Sequence, residues 1–263
     1  MAYKPIPLTT PEVQAILDNR KTMTRRVVKK KYSNTDLEMK TDKYGTRLIE
    51  RQNDAPPPEP VTFPDGRKGT RWSLVAIRDV PSPYQRGDIL WVRETWQQLA
   101  PWTDNGCGLD WDKMQYYYAA DGNPGIEMTD DNGFPLESFR WRPSIHMPKA
   151  AARIFLRVTD VRAERVQDIT EENALKEGVP SEFPMDEAYC PVCMGEGLVG
   201  AVHPASLGFM EIDCPHCETA KQRFGNLWQR LNAKRGYGWD ANPWVWAYTF
   251  ERIATPEGWP ECV

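Results

Sequence analysis

The chain has 263 residues, 40% of them hydrophobic, which is enough to bury a substantial core in one elaborated domain. Its formal net charge of −4 excludes nucleic-acid binding through overall charge and leaves that function to local basic clusters. The sequence has no run of about 18 apolar residues, as a membrane-spanning helix needs, and its start lacks the basic and apolar pattern of a secretory signal. We therefore predict a cytoplasmic protein with no membrane partner.

The first predicted element is a helix from Thr10 to about Asn19. Thr10 is a hydroxyl N-cap, Pro11 suits the first helical position, and apolar residues follow at helical spacing. The helix leads into residues 20–31, where seven of the twelve side chains are basic. Beyond them the periodicity is lost, and we predict a loop or a poorly ordered insertion at about residues 32–85.

Four later segments contain the bulky residues that favour strands. They are residues 89–93, 116–119, 152–161 and 244–250. Two more helices are predicted over residues 171–177 and about 220–234, the first capped by Thr170 and ended by Gly178. Several strands separated by irregular segments are typical of a barrel, so the predicted fold class is α+β, a small β-barrel with flanking helices.

Two C-x-x-C motifs are the strongest chemical signal in the sequence. Such hairpins can place four thiolates tetrahedrally around Zn²⁺, and because four protein ligands leave no open position, we expect a structural zinc ion. The ligands are Cys190, Cys193, Cys214 and Cys217. A redox cysteine pair is the main alternative, and His203 and His216 are substitute ligands. Cys107 and Cys262 have no suitable partners.

The basic segment alone is typical of a solvated face or a phosphate-binding patch, but several motifs accompany it. In chain order these motifs are Asn19–Arg26, Arg86–Val92, Val158–Val161, Thr170–Gly178 and Phe250–Ile253. In this order they resemble the ASCH domain, a PUA-like fold, in the longer form common in phages and prophages. Trp141–Pro148 also resembles these phage-type members, and the resemblance covers about half of the chain.

The resemblance implies a small β-barrel whose cleft is lined by the Lys-Thr-x-Thr-x-Arg segment, in a superfamily that handles RNA and modified nucleosides. One ASCH branch removes the acetyl group from N4-acetylcytidine with a lysine, a threonine and a glutamate, which match Lys21, Thr24 and Glu177. The implied domain is discontinuous and carries an inserted zinc-binding segment and a tail. Its parts are residues 1–180 and 218–253, the insertion 181–217 and the tail 254–263.

Amide hydrolysis needs a nucleophile, a base and a donor for the developing oxyanion. We predict that Thr24 attacks or positions a water, that Lys21 is the base, and that Glu177 protonates the leaving nitrogen. Substrate-binding residues are predicted in the basic segment and at two polar positions farther along the chain. They are Arg20, Arg25, Arg26, Glu94 and His146.

Simpler interpretations of the same residues stay open. Thr24 could only bond to the backbone, and Glu177 could be an ordinary acid in the last turn of a helix. At the level of the whole protein, we predict binding of RNA or a modified nucleoside in this cleft, with hydrolysis of an N4-acyl cytidine as the candidate reaction. One alternative is a non-catalytic RNA-binding module. The other is a phage accessory protein that binds a host protein through its zinc insertion.

Overall fold

The computed structural model describes residues 2–33, 35–43, 45–52, 59–71, 77–100, 115–125, 140–181, 189–202 and 209–260. The helices of this part of the chain are α1 (Thr10–Leu17), α2 (Glu171–Lys176) and α3 (Ala220–Asn232). Its strands are β1 (Tyr3–Pro7), β2 (Met23–Val27), β3 (Thr35–Asp42), β4 (Gly45–Gln52), β5 (Glu59–Thr62), β6 (Lys68–Arg71), β7 (Ile77–Asp79), β8 (Ile89–Arg93), β9 (Trp96–Leu99), β10 (Gln115–Tyr118), β11 (Phe155–Arg165), β12 (Leu198–Val202), β13 (Phe209–Asp213) and β14 (Trp244–Ile253). Within these residues, no helix is both long and apolar enough to cross a membrane.

The main sheet has five strands in the order β1-β8-β11-β14-β2, and only the β1-β8 pair is parallel. The edge strand β1 was not predicted, because Pro5 and Pro7 interrupt its sequence. Leu8 donates its backbone N–H to the Arg93 carbonyl of β8 at 3.0 Å. Alternation along β1 therefore directs the two proline nitrogens away from β8, to the side where no ladder hydrogen bond is lost.

The predicted barrel is not confirmed, because the strand pairings of the described residues do not close into a ring. β1 and β2 are the two outer strands of the sheet and do not pair with each other. Side-chain hydrogen bonds connect the two outer strands instead, since Arg26 on β2 donates to the Pro7 carbonyl of β1 at 2.8 Å. In addition, the Ser82 hydroxyl lies 2.8 Å from the Tyr248 hydroxyl of β14. The fold is an α+β arrangement of an open sheet and several smaller sheets.

The two faces of the main sheet are covered by different helices. On β14, Tyr248 and Val245 lie an odd number of residues apart and so point to opposite faces. Tyr248 belongs to a core that contains Val13 and Ile16 of α1, whereas Val245 belongs to a core that contains residues of α2 and α3 such as Phe224. The predicted helices and the four predicted strands are all present, with boundaries shifted by a few residues.

The prediction of a loop at residues 32–85 was wrong where the structure describes this segment. β3, β4 and β7 form a three-stranded antiparallel sheet, and β5 and β6 form a hairpin. The sheet packs Leu48 against Val28 and Val80, and the Trp244 indole N–H donates to the Leu37 carbonyl at 2.8 Å. β3 and β4 are mostly polar, so they carry no clear alternation of apolar and polar residues. Residues 53–58 and 72–76 lie outside the described residues.

Glu50 organises this small sheet from a buried position. Its side chain is 1% exposed and accepts hydrogen bonds from the backbone N–H groups of Lys31 and Tyr32, the Thr35 hydroxyl and the Arg78 guanidinium, at 2.6 to 2.9 Å. Burial raises the pKa of the Glu50 carboxyl, but these four donors outweigh it and lower the pKa to about 2. The turn before β3 is thus held by one ionised carboxylate.

We expect Glu50→Gln to lower the free energy of unfolding by about 3 kcal/mol at pH 7. The glutamine amide has an NH2 group in place of one carboxylate oxygen, and this group cannot accept the hydrogen bonds that Glu50 accepts. The pKa of the Glu50 carboxyl is lower in the folded protein than its unfolded value of about 4.3. The ionised carboxylate therefore stabilises the folded state at pH values above about 4.3. The difference from wild type should therefore shrink as the pH falls from about 4.3 towards about 2. Urea unfolding at several pH values measures both effects.

The control is Glu38→Gln on β3, where an exposed carboxylate lies 3.5 Å from Arg51. An exposed ion pair contributes at most about 1 kcal/mol, so this variant should unfold nearly as wild type does. Equal stability of the Glu50 and Glu38 variants would contradict the role assigned to Glu50.

Candidate functional site

Lys21 lies where the ends of two helices meet the start of β2. Its backbone N–H donates to the Ala15 carbonyl of α1 at 2.9 Å, and the N–H of Thr22 donates to the Lys176 carbonyl of α2 at 2.8 Å. Gly178 follows α2 with a φ of 88°, and a Cβ there would come within 2.9 Å of Ala15 and 3.0 Å of Lys21. Only glycine fits this contact, which brings the end of α2 against Lys21.

The Lys21 ammonium lies between two carboxylates. The side chain is 4% exposed, and Nζ donates to the Glu177 carboxylate and to the Glu177 backbone carbonyl, both at 2.9 Å. A second carboxylate, Oε1 of Glu12 on α1, lies 3.7 Å from Nζ. The predicted pair of Lys21 and Glu177 is therefore brought into direct contact by the fold.

Arg25 holds the other oxygen of the Glu177 carboxylate. Its side chain is 0% exposed and donates to Glu177 Oε1 at 2.8 Å and to Glu164 Oε1 at 2.6 and 2.9 Å. Ala247 of β14 pairs with Arg25 on β2 and with Arg162 on β11, and its short side chain leaves room for Arg25 to reach Glu164. Arg25, predicted to bind substrate, is thus occupied by two carboxylates of the protein.

Thr24 is buried beside this network on β2. It is 2% exposed and pairs with Tyr248 of β14, so the two side chains share a face of the sheet. Alternation along β2 puts that face opposite the one that holds Arg25. Among the described residues the Thr24 hydroxyl has no hydrogen-bond partner, so the alternative of a bond to the backbone is not realised there.

Arg26 and Glu12 connect Lys21 with the face that carries Thr24. Arg26 lies two residues after Thr24 and therefore on the same face of β2. Burial raises the pKa of the Glu12 carboxyl. The charges of Lys21 and Arg26 and the hydrogen bonds from Thr9 outweigh this effect, so the pKa lies below its ordinary value. Glu12 is thus close to both cations, and the three charged side chains form a partly buried polar cluster.

The other predicted substrate-binding residues lie apart from this cluster or at its rim. Arg20 is exposed and donates to Asp18 at 2.9 Å and to the Gly178 carbonyl at 3.1 Å. Glu94 is 1% exposed and is held by Arg153 at 2.9 and 3.0 Å. Burial raises the pKa of the Glu94 carboxyl, and Arg153 only partly offsets this.

His146 is exposed in a short turn over Ser144–His146. Neither it nor Glu94 forms a hydrogen bond or an ion pair with Lys21, Thr24 or Glu177 in the part of the chain that the structure describes. The structure therefore joins Lys21 and Arg25 of the basic segment with Glu177 and leaves Glu94 and His146 outside these contacts.

The sequence reasoning missed Glu12 and Glu164. Glu12 follows Thr9 by three residues and accepts from its backbone N–H at 2.9 Å, which is the capping-box pattern at a helix start. That pattern could have identified Glu12 as a fixed carboxylate. Glu164 lies on β11 among other charged residues, and no sequence signal distinguishes it as the partner of Arg25.

The four predicted cysteine ligands form a separate cluster that could hold a metal ion. Their sulfur atoms all lie within 4.8 Å of one another and all four residues are buried. The Cys190 and Cys214 sulfurs are 3.7 Å apart, and those of Cys193 and Cys217 are 3.5 Å apart. Tetrahedral coordination with metal–sulfur bonds of about 2.3 Å gives sulfur separations of about 3.8 Å, so the spacing fits a metal ion.

Glycines shape the loop that carries the first two cysteines. The Gly197 N–H donates to the Cys193 sulfur at 3.3 Å, and its carbonyl accepts from the Cys214 N–H at 2.8 Å. Burial raises the pKa of the Cys193 thiol, but the Gly197 N–H and the neighbouring Cys190 and Cys217 sulfurs lower it to about 7. The lowered pKa is specific to Cys193, because burial raises the pKa of the Cys214 and Cys217 thiols.

Of the alternative histidine ligands, only His216 lies within the described residues, and it is not part of the four-cysteine cluster. His216 is exposed, and its backbone carbonyl accepts from the Asn226 amide at 2.9 Å. His203, Cys107 and Cys262 lie outside the described residues.

No model of a known protein family, no curated protein and no solved structure matches this chain. A functional assignment therefore depends on the side chains and their geometry. Two features of the described residues carry chemical information: the polar cluster around Lys21 and Glu177, and the four-cysteine cluster.

Replacing one ligand should remove the metal and loosen only its surroundings. We expect Cys214→Ser to lower the bound metal from about one ion per chain to a small fraction, because three thiolates and a hydroxyl bind far more weakly than four thiolates. Amide hydrogen exchange should then increase in residues 189–202 and 209–217 and stay low in the main sheet. Elemental analysis and exchange mass spectrometry measure the two effects.

Cys107→Ser, at a cysteine that belongs to neither C-x-x-C motif, is the matched control and should retain the metal. Full metal content in the Cys214→Ser protein would contradict the four-cysteine site.

Proposed function

We propose that this protein hydrolyses the N4-acyl amide of an acylated cytidine, as a nucleoside or within RNA. The observation that carries the proposal is the buried Lys21 ammonium 2.9 Å from the Glu177 carboxylate, at the start of the strand that holds the Thr24 hydroxyl. The resemblance to the ASCH domain supports it, because the lysine, threonine and glutamate of the deacetylating branch match these three residues.

The proposed reaction begins with proton transfer within the buried pair. Lys21 gives a proton to the Glu177 carboxylate and becomes a neutral amine. The amine then takes the hydroxyl proton of Thr24 while the Thr24 oxygen attacks the acyl carbon. Glu177 returns its proton to the leaving N4 nitrogen, cytidine departs, and an ester on Thr24 remains. Water hydrolyses the ester and releases the carboxylic acid.

Two arginines have different tasks in this proposal. Arg26 lies on the Thr24 face and uses one guanidinium nitrogen on the Pro7 carbonyl, so its other donors can stabilise the oxyanion or hold the substrate. Arg25 is wholly buried between Glu164 and Glu177 and acts as a positioning residue that fixes the Glu177 carboxylate. The polar cluster thus contains both reacting and supporting groups.

An acylated cytidine within RNA is favoured over a free nucleoside by the basic side chains that follow β2. Lys29, Lys30 and Lys31 are exposed directly after this strand and can contact phosphates. The same lysines favour the second candidate function, RNA binding without catalysis. The two functions differ in whether the protein forms a product at all. Only the hydrolysis requires the Thr24 hydroxyl.

We also propose that the metal is zinc and that its role is structural. Four thiolates in two C-x-x-C units are the usual ligands of a closed tetrahedral zinc site, which has no position for water or substrate. The site is linked to α3, since Arg223 donates to the Cys217 carbonyl at 2.9 Å and Asn226 donates to the Tyr189 carbonyl at 2.7 Å. Zinc would therefore order the insertion and leave the hydrolysis to the Lys21 cluster.

Purified protein incubated with N4-acetylcytidine, or with RNA that contains it, should release acetate and the deacetylated base. We expect Thr24→Val, which keeps the side-chain shape but removes the hydroxyl, and Lys21→Ala to lower kcat/KM by about 100-fold or more. Thr46→Val, at an exposed threonine of β4, is the matched control and should retain full activity. Chromatography of the products measures the rates.

Unchanged turnover in the Thr24→Val and Lys21→Ala proteins would remove both residues from the mechanism. A wild-type protein that forms no product from either substrate, but binds RNA with an affinity that falls steeply with salt, would instead establish the RNA-binding alternative.

A further inference from the structure

The hairpin formed by β12 and β13 has one face turned away from the metal cluster. Val199 on its other face packs against the four cysteines. Alternation along the strands puts Leu198, Gly200 and Val202 on the opposite face, together with their cross-strand partners Asp213, Glu211 and Phe209. We call this set of six residues the open face. Neither outer edge of the hairpin pairs with another strand among the described residues.

The open face exposes large apolar side chains. Phe209 is 86% exposed, Val202 59% and Leu198 46%. A Cβ added at Gly200 would lie 2.7 Å from a ring carbon of Phe209, so the ring lies directly over this glycine. The result is an apolar platform in water, and such surfaces are typical of sites where another molecule binds.

The charge of the hairpin narrows the choice of partner. Its described residues, 189–202 and 209–217, include Glu196, Glu211 and Asp213 but no lysine or arginine, and all three acids are exposed. These carboxylates repel the phosphates of a nucleic acid, and they equally repel the same face of a second copy of the chain. They attract a partner with lysine or arginine beside its apolar side chains.

The platform is held in place by other parts of the chain. The metal cluster lies beneath the hairpin, and α3 binds that cluster through Arg223 and through Asn226, which contacts both the Tyr189 and His216 carbonyls. A surface that is already ordered loses little conformational entropy when a partner binds. These contacts matter because an isolated two-stranded hairpin is only marginally stable in water.

From these observations we infer that the open face docks a segment of a partner protein that presents apolar side chains flanked by lysine or arginine. The apolar residues contact Phe209, Leu198 and Val202, and the basic residues pair with Glu211 and Asp213. This interaction is independent of the proposed hydrolysis, since it uses none of the residues around Lys21. It would let the insertion bring the protein to a specific partner.

The test uses the full-length, metal-loaded protein and a short synthetic peptide of alternating leucine and lysine, with a leucine and glutamate peptide of equal length for comparison. Calorimetric titration should show the lysine peptide binding at least about tenfold more tightly than the glutamate peptide. Phe209→Ser should weaken the lysine peptide about tenfold or more. Reversing the charges with Glu211→Lys and Asp213→Lys should make the glutamate peptide the tighter ligand.

Phe63→Ser is the matched control. Phe63 is 49% exposed and its ring lies over Gly69 in the β5–β6 hairpin, as that of Phe209 lies over Gly200. This variant should bind the lysine peptide as wild type does, and the charge-reversed variant decides the result if Phe209→Ser loosens the hairpin.

Three results would overturn the inference. The first is equal binding of both peptides by wild type and the charge-reversed protein. The second is a labelled single-stranded RNA whose binding depends on Phe209. The third is a wild-type dimer in analytical ultracentrifugation that Phe209→Ser converts to a monomer, because the open face would then bind a second copy.

Discussion

The carboxylate of Glu177 holds two buried cations, Lys21 and Arg25, through hydrogen bonds from its two oxygens. A charged side chain left without a partner in the interior costs several kcal/mol, so this carboxylate stabilises both Lys21, just before β2, and Arg25 on β2. Glu164 completes the arrangement from β11 and Glu12 from α1. One ionic cluster therefore fixes how α1, α2, β2 and β11 meet.

A buried ion network is weak evidence for stability by itself, because apolar residues of similar size often stabilise a core as well or better. What distinguishes this network is its position next to Thr24 on β2, a residue that is 2% exposed and whose hydroxyl has no hydrogen-bond partner among the described residues. Arg25 and Glu164 fix the Glu177 carboxylate, and Lys21 lies between that carboxylate and Glu12. The four-cysteine cluster and the open face are built from other residues, so the proposed binding of a partner does not need the proposed chemistry.

The sequence could predict elements whose signals are local. The C-x-x-C spacing identified the cysteine cluster, and capping residues or apolar periodicity identified the three helices, although α1 is capped by Thr9 and not by Thr10 as predicted. Long-range features had no such signal: Lys21 and Glu177 are 156 residues apart, and only the resemblance to a family connected them. β1 was hidden by its prolines and β3 by its polar side chains. Arg25 was expected at a binding surface because it lies in the basic segment, and its two carboxylate partners became visible only in the fold.

The central claim is that Lys21 and Glu177 act as a single buried unit, and a double-mutant cycle tests it most directly. Lys21→Met and Glu177→Gln each keep the side-chain size while removing the charge, and urea unfolding gives the free energies of wild type, both single variants and the double variant. The account expects a coupling free energy of at least about 1 kcal/mol, because each single variant leaves the other charge buried without its partner. Single effects that add to within about 0.5 kcal/mol would show that the two residues are independent and would contradict the account.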